Sequence, residues 1–236
     1  MPRWRLDITY DGSRYNGWQR QPNAPTVQGA IEAVIHRITQ LSDPEITGAG
    51  RTDTGVHARG QVAHIDLDLH ESADRFKKRL NSVLPPDIRI RSVRSVDDAF
   101  HARYSALSRT YRYELGSEAD PLRPHRWIVP AELDIDAMNA TAEKLLGTHD
   151  FRDYSTQSDE KENTLCTVMD AHFEPTGDGW VFEITADRFL RSMVRRLVAM
   201  LVGKGVAGST WKVPLVAPAH ALVLLSVEYP PAEAGG

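Results

Sequence analysis

The hydrophobic period of this chain switches between two and 3.6 residues in one order, strand, helix, strand, strand, helix, strand, and then runs through that order again. Such an order leaves few ways to bury every apolar face. WRLDITY (4–10) alternates, with Trp4, Leu6, Ile8 and Tyr10 on one face. Thr26 caps a helix in which Val27, Ala30, Ile31, Val34, Ile35, Ile38 and Leu41 recur at helical spacing. A short strand near 45–50, a strand over 61–67, a helix from Ser72 to Leu84 and a strand over 88–96 complete the first set. Pro85 and Pro86 stop that second helix.

The second set has a long strand over 103–115 and a helix over 134–146 closed by Gly147. Strands over 164–174 and 180–187 follow, joined by TGDG, a hairpin signal. A helix over 189–203 and a strand over 221–229 end the set, and the polar segments 117–130 and 152–163 read as loops. The architecture repeats while the residues do not. The expected fold is α+β, two tandem ferredoxin-like βαββαβ halves over 1–104 and 105–236. A central, mainly antiparallel sheet and a cleft between the halves, suited to a large ligand, are expected with it.

Several function classes fall away. Nothing approaches the roughly 18 consecutive apolar residues of a membrane span. The N-terminal MPRWRLDITY carries charge where a signal peptide has an apolar core. Cys166 is the one cysteine, so no intrachain disulfide or cysteine-based zinc cluster can form, and a cytoplasmic location fits. A net charge of −4 argues, on its face, against a nucleic-acid partner. The basic residues, however, are 22 Arg and 6 Lys. Arginine forks onto phosphate and stacks on bases, although a compositional bias gives the same ratio. Where the arginines cluster decides between the two.

The segment GAGRTDTGVHARGQV (48–62) sets Asp53 two positions after Arg51 among Gly48, Gly50 and Gly55. Backbone there bends sharply or lets something approach closely. Burial raises a carboxylate's pKa, and a nearby guanidinium brings it down again and keeps the group ionised. An ionised, partly desolvated Asp53 is a nucleophile, a base or an electrostatic stabiliser, and a turn-forming Asp is the plainer reading. HIDLDLH (64–70) offers a competing site, with His64, Asp66, Asp68 and His70 on one strand face. Same-face neighbours on a strand stand about 7 Å apart, too far to share one ion easily, so a solvated face is the simpler account.

Arg188, Arg191 and Arg195 fall three and four residues apart on the expected helix, with Arg196 beside them. This arginine stripe suits a phosphate backbone. YDGSRYNGWQRQ (10–21) mixes Arg14, Tyr15, Trp18, Gln19 and Arg20 without apolar periodicity, as stacking on unpaired RNA requires. Arg59 and Arg103 add charge, and in FHARYSALSRTYRYEL (100–115) Arg109 and Tyr111 share a strand face. No GxGxxG, Walker loop, HExxH or GxSxG is present. Asp-centred chemistry without a cofactor, on an Arg- and Tyr-rich surface, is what the residues leave.

These stretches, with TVQGAIE, LNSVLPPDI, LLGTHDF, FLRSMVRRLV and APAHALVLLSVEY, run in an order that closely resembles the tRNA pseudouridine synthase A family along nearly the whole chain. The resemblance implies tandem ferredoxin-like halves and isomerisation of uridine to pseudouridine at positions 38, 39 and 40 of the tRNA anticodon stem-loop. It implies no cofactor, no metal, no membrane, and a homodimer with tRNA as partner. Asp53 falls on the family's catalytic aspartate and Arg51 on the arginine paired with it. Tyr111 falls on the tyrosine against the target uracil, Arg195 on a second arginine near the carboxylate, and Leu222 on a pocket wall. Ser192, Arg196 and Ala199 depart from the family's His, Asn and Gly. Only about a dozen residues separate VGKG from APAH, where relatives carry a further helix. A binding-only tRNA chaperone of the same fold is the alternative.

Overall fold

The computed structural model describes residues 1–130, 132–156, 163–206, 208 and 210–231. Residues 157–162 of the expected loop over 152–163 lie outside them. In chain order the elements are β1 (Arg3–Tyr10), α1 (Val27–Thr39), β2 (Thr47–Gly48), β3 (His57–Asp66), α2 (Ala73–Val83), β4 (Ile88–Val96), β5 (Ser108–Gly116), β6 (Trp127–Ile128), α3 (Ile135–Ala142), β7 (Gly147–Asp150), β8 (Leu165–Thr176), β9 (Gly179–Ala186), α4 (Met193–Gly205) and β10 (Leu222–Glu228). The chain divides into two compact units, 1–107 with 224 onward, and 108–223. The fold is α+β with mainly antiparallel pairing.

In the first unit the strand order is β4-β1-β3-β10, with β2 on β3. Leu6, Ile8 and Tyr10 of β1 are buried, as the alternation of that strand dictates. Thr26 caps α1, its Oγ1 accepting the Gly29 N–H at 3.2 Å. Val27, Ile31 and Ile35 form the buried stripe of that helix. Ser72 caps α2 by accepting from Arg75 N–H at 3.3 Å, and the helix ends at Leu84 before the two prolines. Its Phe76 and Leu80 are fully buried. The last strand of the chain, read as the end of the second set, contributes its residues from Leu224 to this unit and lies next to β3.

The second unit orders its strands β5-β9-β8-β7, with β6 parallel to β5. The expected hairpin joins β8 and β9 with Thr176 opposite Gly179. Tyr113 and Phe182 are wholly enclosed in its core. Helices α3 and α4 pack on one another at Gly205, where a Cβ would overlap the Met138 side chain. Among the boundaries that differ from the sequence reading, two concern the arginine-rich segments. β5 starts at Ser108 because residues 101–105 form a turn closed by Ser105 N–H donating to His101 O at 2.9 Å. α4 starts at Met193 because Ser192 takes a left-handed conformation, φ 60°, after a turn in which Met193 N–H donates to Leu190 O. Arg188 and Arg191 therefore precede the helix, and of the three arginines expected on one helix face only Arg195 lies on α4, with Arg196 beside it.

Candidate active site

The loop from Gly50 to Val56 leaves the sheet after β2 and re-enters it at β3, and Asp53 stands at its apex, half-buried. Ala49 N–H donates to Val62 O at 2.7 Å on the way out, and Val56 N–H donates to Asp53 O at 3.1 Å on the way back. The latter closes a tight turn whose third residue, Gly55, has φ 78°, the left-handed value that favours glycine. The residue before Asp53 is tied twice. Thr52 O accepts the Trp18 N–H at 3.1 Å, and the Thr52 hydroxyl bonds the buried Tyr10 hydroxyl at 2.8 Å.

Glycines let the segment 12–17 lie against this loop backbone to backbone. A Cβ on Gly12 would overlap the Val56 carbonyl, and one on Gly17, at φ 87°, would stand 2.5 Å from Thr52 O. Gly48 is covered by the indole of Trp18, which a Cβ there would meet at 2.6 Å. Gly50, by contrast, faces open space, with nothing within 4 Å of a Cβ. The glycine spacing in the sequence is thus explained chiefly by protein packing.

This corrects the reading of the 10–21 stretch as an aromatic surface for RNA. Trp18 and Tyr15 are enclosed, at 1% and 7% exposure, and form the foundation of the Asp53 loop. The Tyr15 hydroxyl donates to Asp87 at 2.8 Å, and Arg14 pairs with the same carboxylate at 2.5 Å. Arg20 bridges Glu32 and Asp43 at 3.2 and 2.9 Å. Arg51 donates from Nε to Gln19 Oε1 at 3.0 Å. Arg59 and Arg103 are exposed. The alternative metal face does not assemble. β3 ends at Asp66, which is bound to Arg3 at 2.7 Å, and His64 is buried with its Nδ1 accepting the Ala102 N–H at 3.1 Å.

In the second unit Tyr111 is buried on β5, opposite Ile184 of β9. Its ring and that of Phe189 form a T-shaped pair, centroids 5.2 Å apart. Phe189 escapes the sequence reading because the apolar spacing makes it the first residue of a helix. Arg109 donates to Asp187 O at 2.6 Å. Arg195 donates from Nε to Ala217 O at 2.7 Å, and Ala217 N–H returns a bond to Arg195 O at 3.1 Å. The Tyr113 hydroxyl donates to Pro218 O at 2.8 Å, so the segment leading to the buried Leu222 is held at two successive residues. Arg196 instead lines a cavity of about 270 Å³ with Tyr154, Met200 and Val213–Leu215. Arg188 is half-buried and Arg191 exposed.

The family model described as tRNA pseudouridine synthase matches residues 8–105 and 141–211. A tRNA pseudouridine synthase A of Cutibacterium acnes is 44% identical over 252 aligned residues, spanning 98% of this chain and 90% of the relative. One of Chlorobaculum tepidum is 45% identical over 204 residues, 86% of this chain and 82% of its own length. One of Bradyrhizobium diazoefficiens is 41% identical over 251 residues, 97% of this chain and 100% of its own length.

Proposed function

The chain belongs to the tRNA pseudouridine synthase A family, and from that premise we propose that it isomerises uridine to pseudouridine in tRNA with Asp53 as its catalytic carboxylate. The observation that carries the assignment is the loop itself. The Asp53 carboxylate sits half-buried at the apex of a short turn, and Tyr10, Trp18 and Val56 fix the backbone on either side of it. A turn-forming Asp would need no such foundation, whereas a reacting group gains from being held in place.

The reaction breaks the C1′–N1 glycosidic bond, turns the uracil in place and joins C5 to C1′. N1 gains a proton and the C5 hydrogen leaves as one. Asp53 serves this by attacking C1′, by adding to C6 or by taking a C2′ proton. In the roles carried over from the family, Arg51 and Arg195 keep the carboxylate charged, Tyr111 holds the detached base, and Leu222 supplies an apolar wall. The target base must leave its stack, at about a few kcal/mol, which arginine contacts to the RNA offset. The proposed substrates are uridines 38, 39 and 40 of the anticodon stem-loop, acted on by a cytoplasmic homodimer.

Tritium release from tRNA labelled at uridine C5 tests this, because that hydrogen must leave when C5 bonds C1′. Wild type should release tritium in the presence of a chelator, and folded Asp53→Asn should not. Release by both, or by neither while tRNA still binds, would overturn the assignment, the latter in favour of a binding-only protein.

A further inference from the structure

Tyr104 is 77% exposed, in a segment held firmly by hydrogen bonds. It ends a column of rings that rises out of the first unit's sheet. At the base His64 projects from β3, where Arg5 of β1 and, beyond it, Arg94 of β4 are its neighbours in register. The His101 ring lies 4.7 Å from His64, and the Tyr104 ring 4.3 Å from His101 with the planes only 33° apart. Phe100 and Tyr229 brace the base, 5.0 Å apart, with the Arg5 guanidinium 4.5 Å from the Tyr229 centroid.

Several hydrogen bonds of this segment fix those rings. His101 Nδ1 accepts the N–H groups of Arg103 and Tyr104 at 3.1 and 3.2 Å. His101 N–H donates to Ser105 Oγ at 2.9 Å, and Ser105 N–H to His101 O at 2.9 Å. The Tyr229 hydroxyl donates to Ala102 O at 2.6 Å, and Arg3 holds the carbonyls of Asp98 and Phe100 at 2.8 and 2.9 Å. At 77% exposure most of the Tyr104 ring stays open, with the His101 ring packed against it. The Arg103 guanidinium lies over the Tyr104 ring, Cζ 5.7 Å from the ring centroid, and the exposed Arg94 stands on the same sheet face as the column.

Singly exposed aromatics are ordinary on protein surfaces. A rigid one that lies against the His101 ring with the two planes 33° apart, with guanidinium groups nearby, has the form of a platform for one more flat ring. We propose that Tyr104 is a second base-stacking site, taking the face of an unpaired nucleobase of the RNA substrate while Arg103 takes the adjoining phosphate. The proposal rests on the reading of tRNA as substrate and adds a contact outside the residues assigned to the reaction.

Tyr104→Ala, Tyr104→Phe, Tyr104→Leu and Arg103→Ala are compared with wild type in tRNA binding and steady-state tritium release. Base–aromatic stacking lost by alanine substitution corresponds to about a ten-fold or greater weakening. Tyr104→Ala and Tyr104→Leu should therefore raise Kd and KM about ten-fold, with kcat within about two-fold. Tyr104→Phe should match wild type, because the ring and not the hydroxyl does the stacking. Arg103→Ala should weaken binding and reduce its salt dependence by about one phosphate contact. Unchanged Kd and KM in Tyr104→Ala, or full retention by Tyr104→Leu, would overturn the platform while active wild type left the isomerase reading standing. Wild type that neither binds tRNA nor releases tritium would remove both.

Discussion

The hydroxyls of Tyr10 and Thr52 meet 2.8 Å apart in the interior, one residue before Asp53. Both residues are buried, and burial holds the Tyr10 phenol well above its ordinary pKa, so it remains a neutral hydrogen-bonding group at every working pH. Tyr10→Phe keeps the ring and leaves the Thr52 hydroxyl enclosed without that partner. A buried group so orphaned costs about 1–3 kcal/mol. The expected outcome is a lower melting temperature and a reduced single-turnover rate, with tRNA affinity kept. Wild-type rate and stability together would show that this bond does not position the loop.

The glycines of the site make opposite predictions. Gly17 combines φ 87° with a Cβ position 2.5 Å from Thr52 O, so Gly17→Ala adds both backbone strain and a clash. It should destabilise the protein by about 2 kcal/mol or more and lower activity with it. Gly50→Ala meets nothing within 4 Å and should leave the stability within about 0.5 kcal/mol of wild type. If Gly50→Ala nonetheless loses activity while fully folded, the open space above Gly50 is where the RNA comes close. Denaturant curves alongside tritium release separate the two.

His64 gives the protein a pH dependence of known sign. Burial, and then the charges of Arg3 and His101, push its pKa down to about 4 from the ordinary 6.5. The unfolded chain therefore takes up a proton between pH 6.5 and 4 that the folded chain refuses. Stability should be level above that window and fall as the pH drops through it. His101, also held below its ordinary value chiefly by burial, adds to the slope with the same sign. His64→Gln, which retains an acceptor for the Ala102 N–H, should remove most of the slope and leave a remainder. Urea midpoints measured from pH 7 to pH 4 test this, and an unchanged slope in His64→Gln would assign it to other groups.

What the sequence discloses, and what it does not, follows from the range of the interaction. Thr26, Ser72 and the Pro85-Pro86 pair act within a few residues, and the helices begin and end where they stand. TGDG marks the β8–β9 hairpin for the same reason. Asp178 in that turn also clamps the buried Arg126 with bonds of 2.6 and 2.7 Å across 52 residues, a pairing with no local signature. Trp18 reads as a surface residue because its cover, Gly48, comes from another segment. The left-handed Ser192 is equally hidden, since no glycine or asparagine marks it, and so the spacing alone starts a helix at Phe189 and carries it through Arg191. Asp53 is legible as an unusual carboxylate, but the foundation beneath it is not.

Arg195 is the residue whose chemistry can be separated from its packing. Its Nε donates to Ala217 O at 2.7 Å, which fixes the plane of the guanidinium and thereby the direction of its two terminal amino groups. A lysine has one nitrogen at the end of a flexible stem and cannot both hold Ala217 and present a planar fork. Arg195→Lys keeps the charge, so any loss measures orientation. If the guanidinium stabilises charge during the reaction, as its assigned role requires, kcat should fall about 100-fold with a much smaller change in tRNA affinity. A structural role alone would lower the melting temperature, through the tie to Ala217, while the turnover of the folded fraction stayed at the wild-type level. Rapid-quench rates on enzyme titrated for folded sites distinguish these results, and full turnover in Arg195→Lys would remove Arg195 from the reaction.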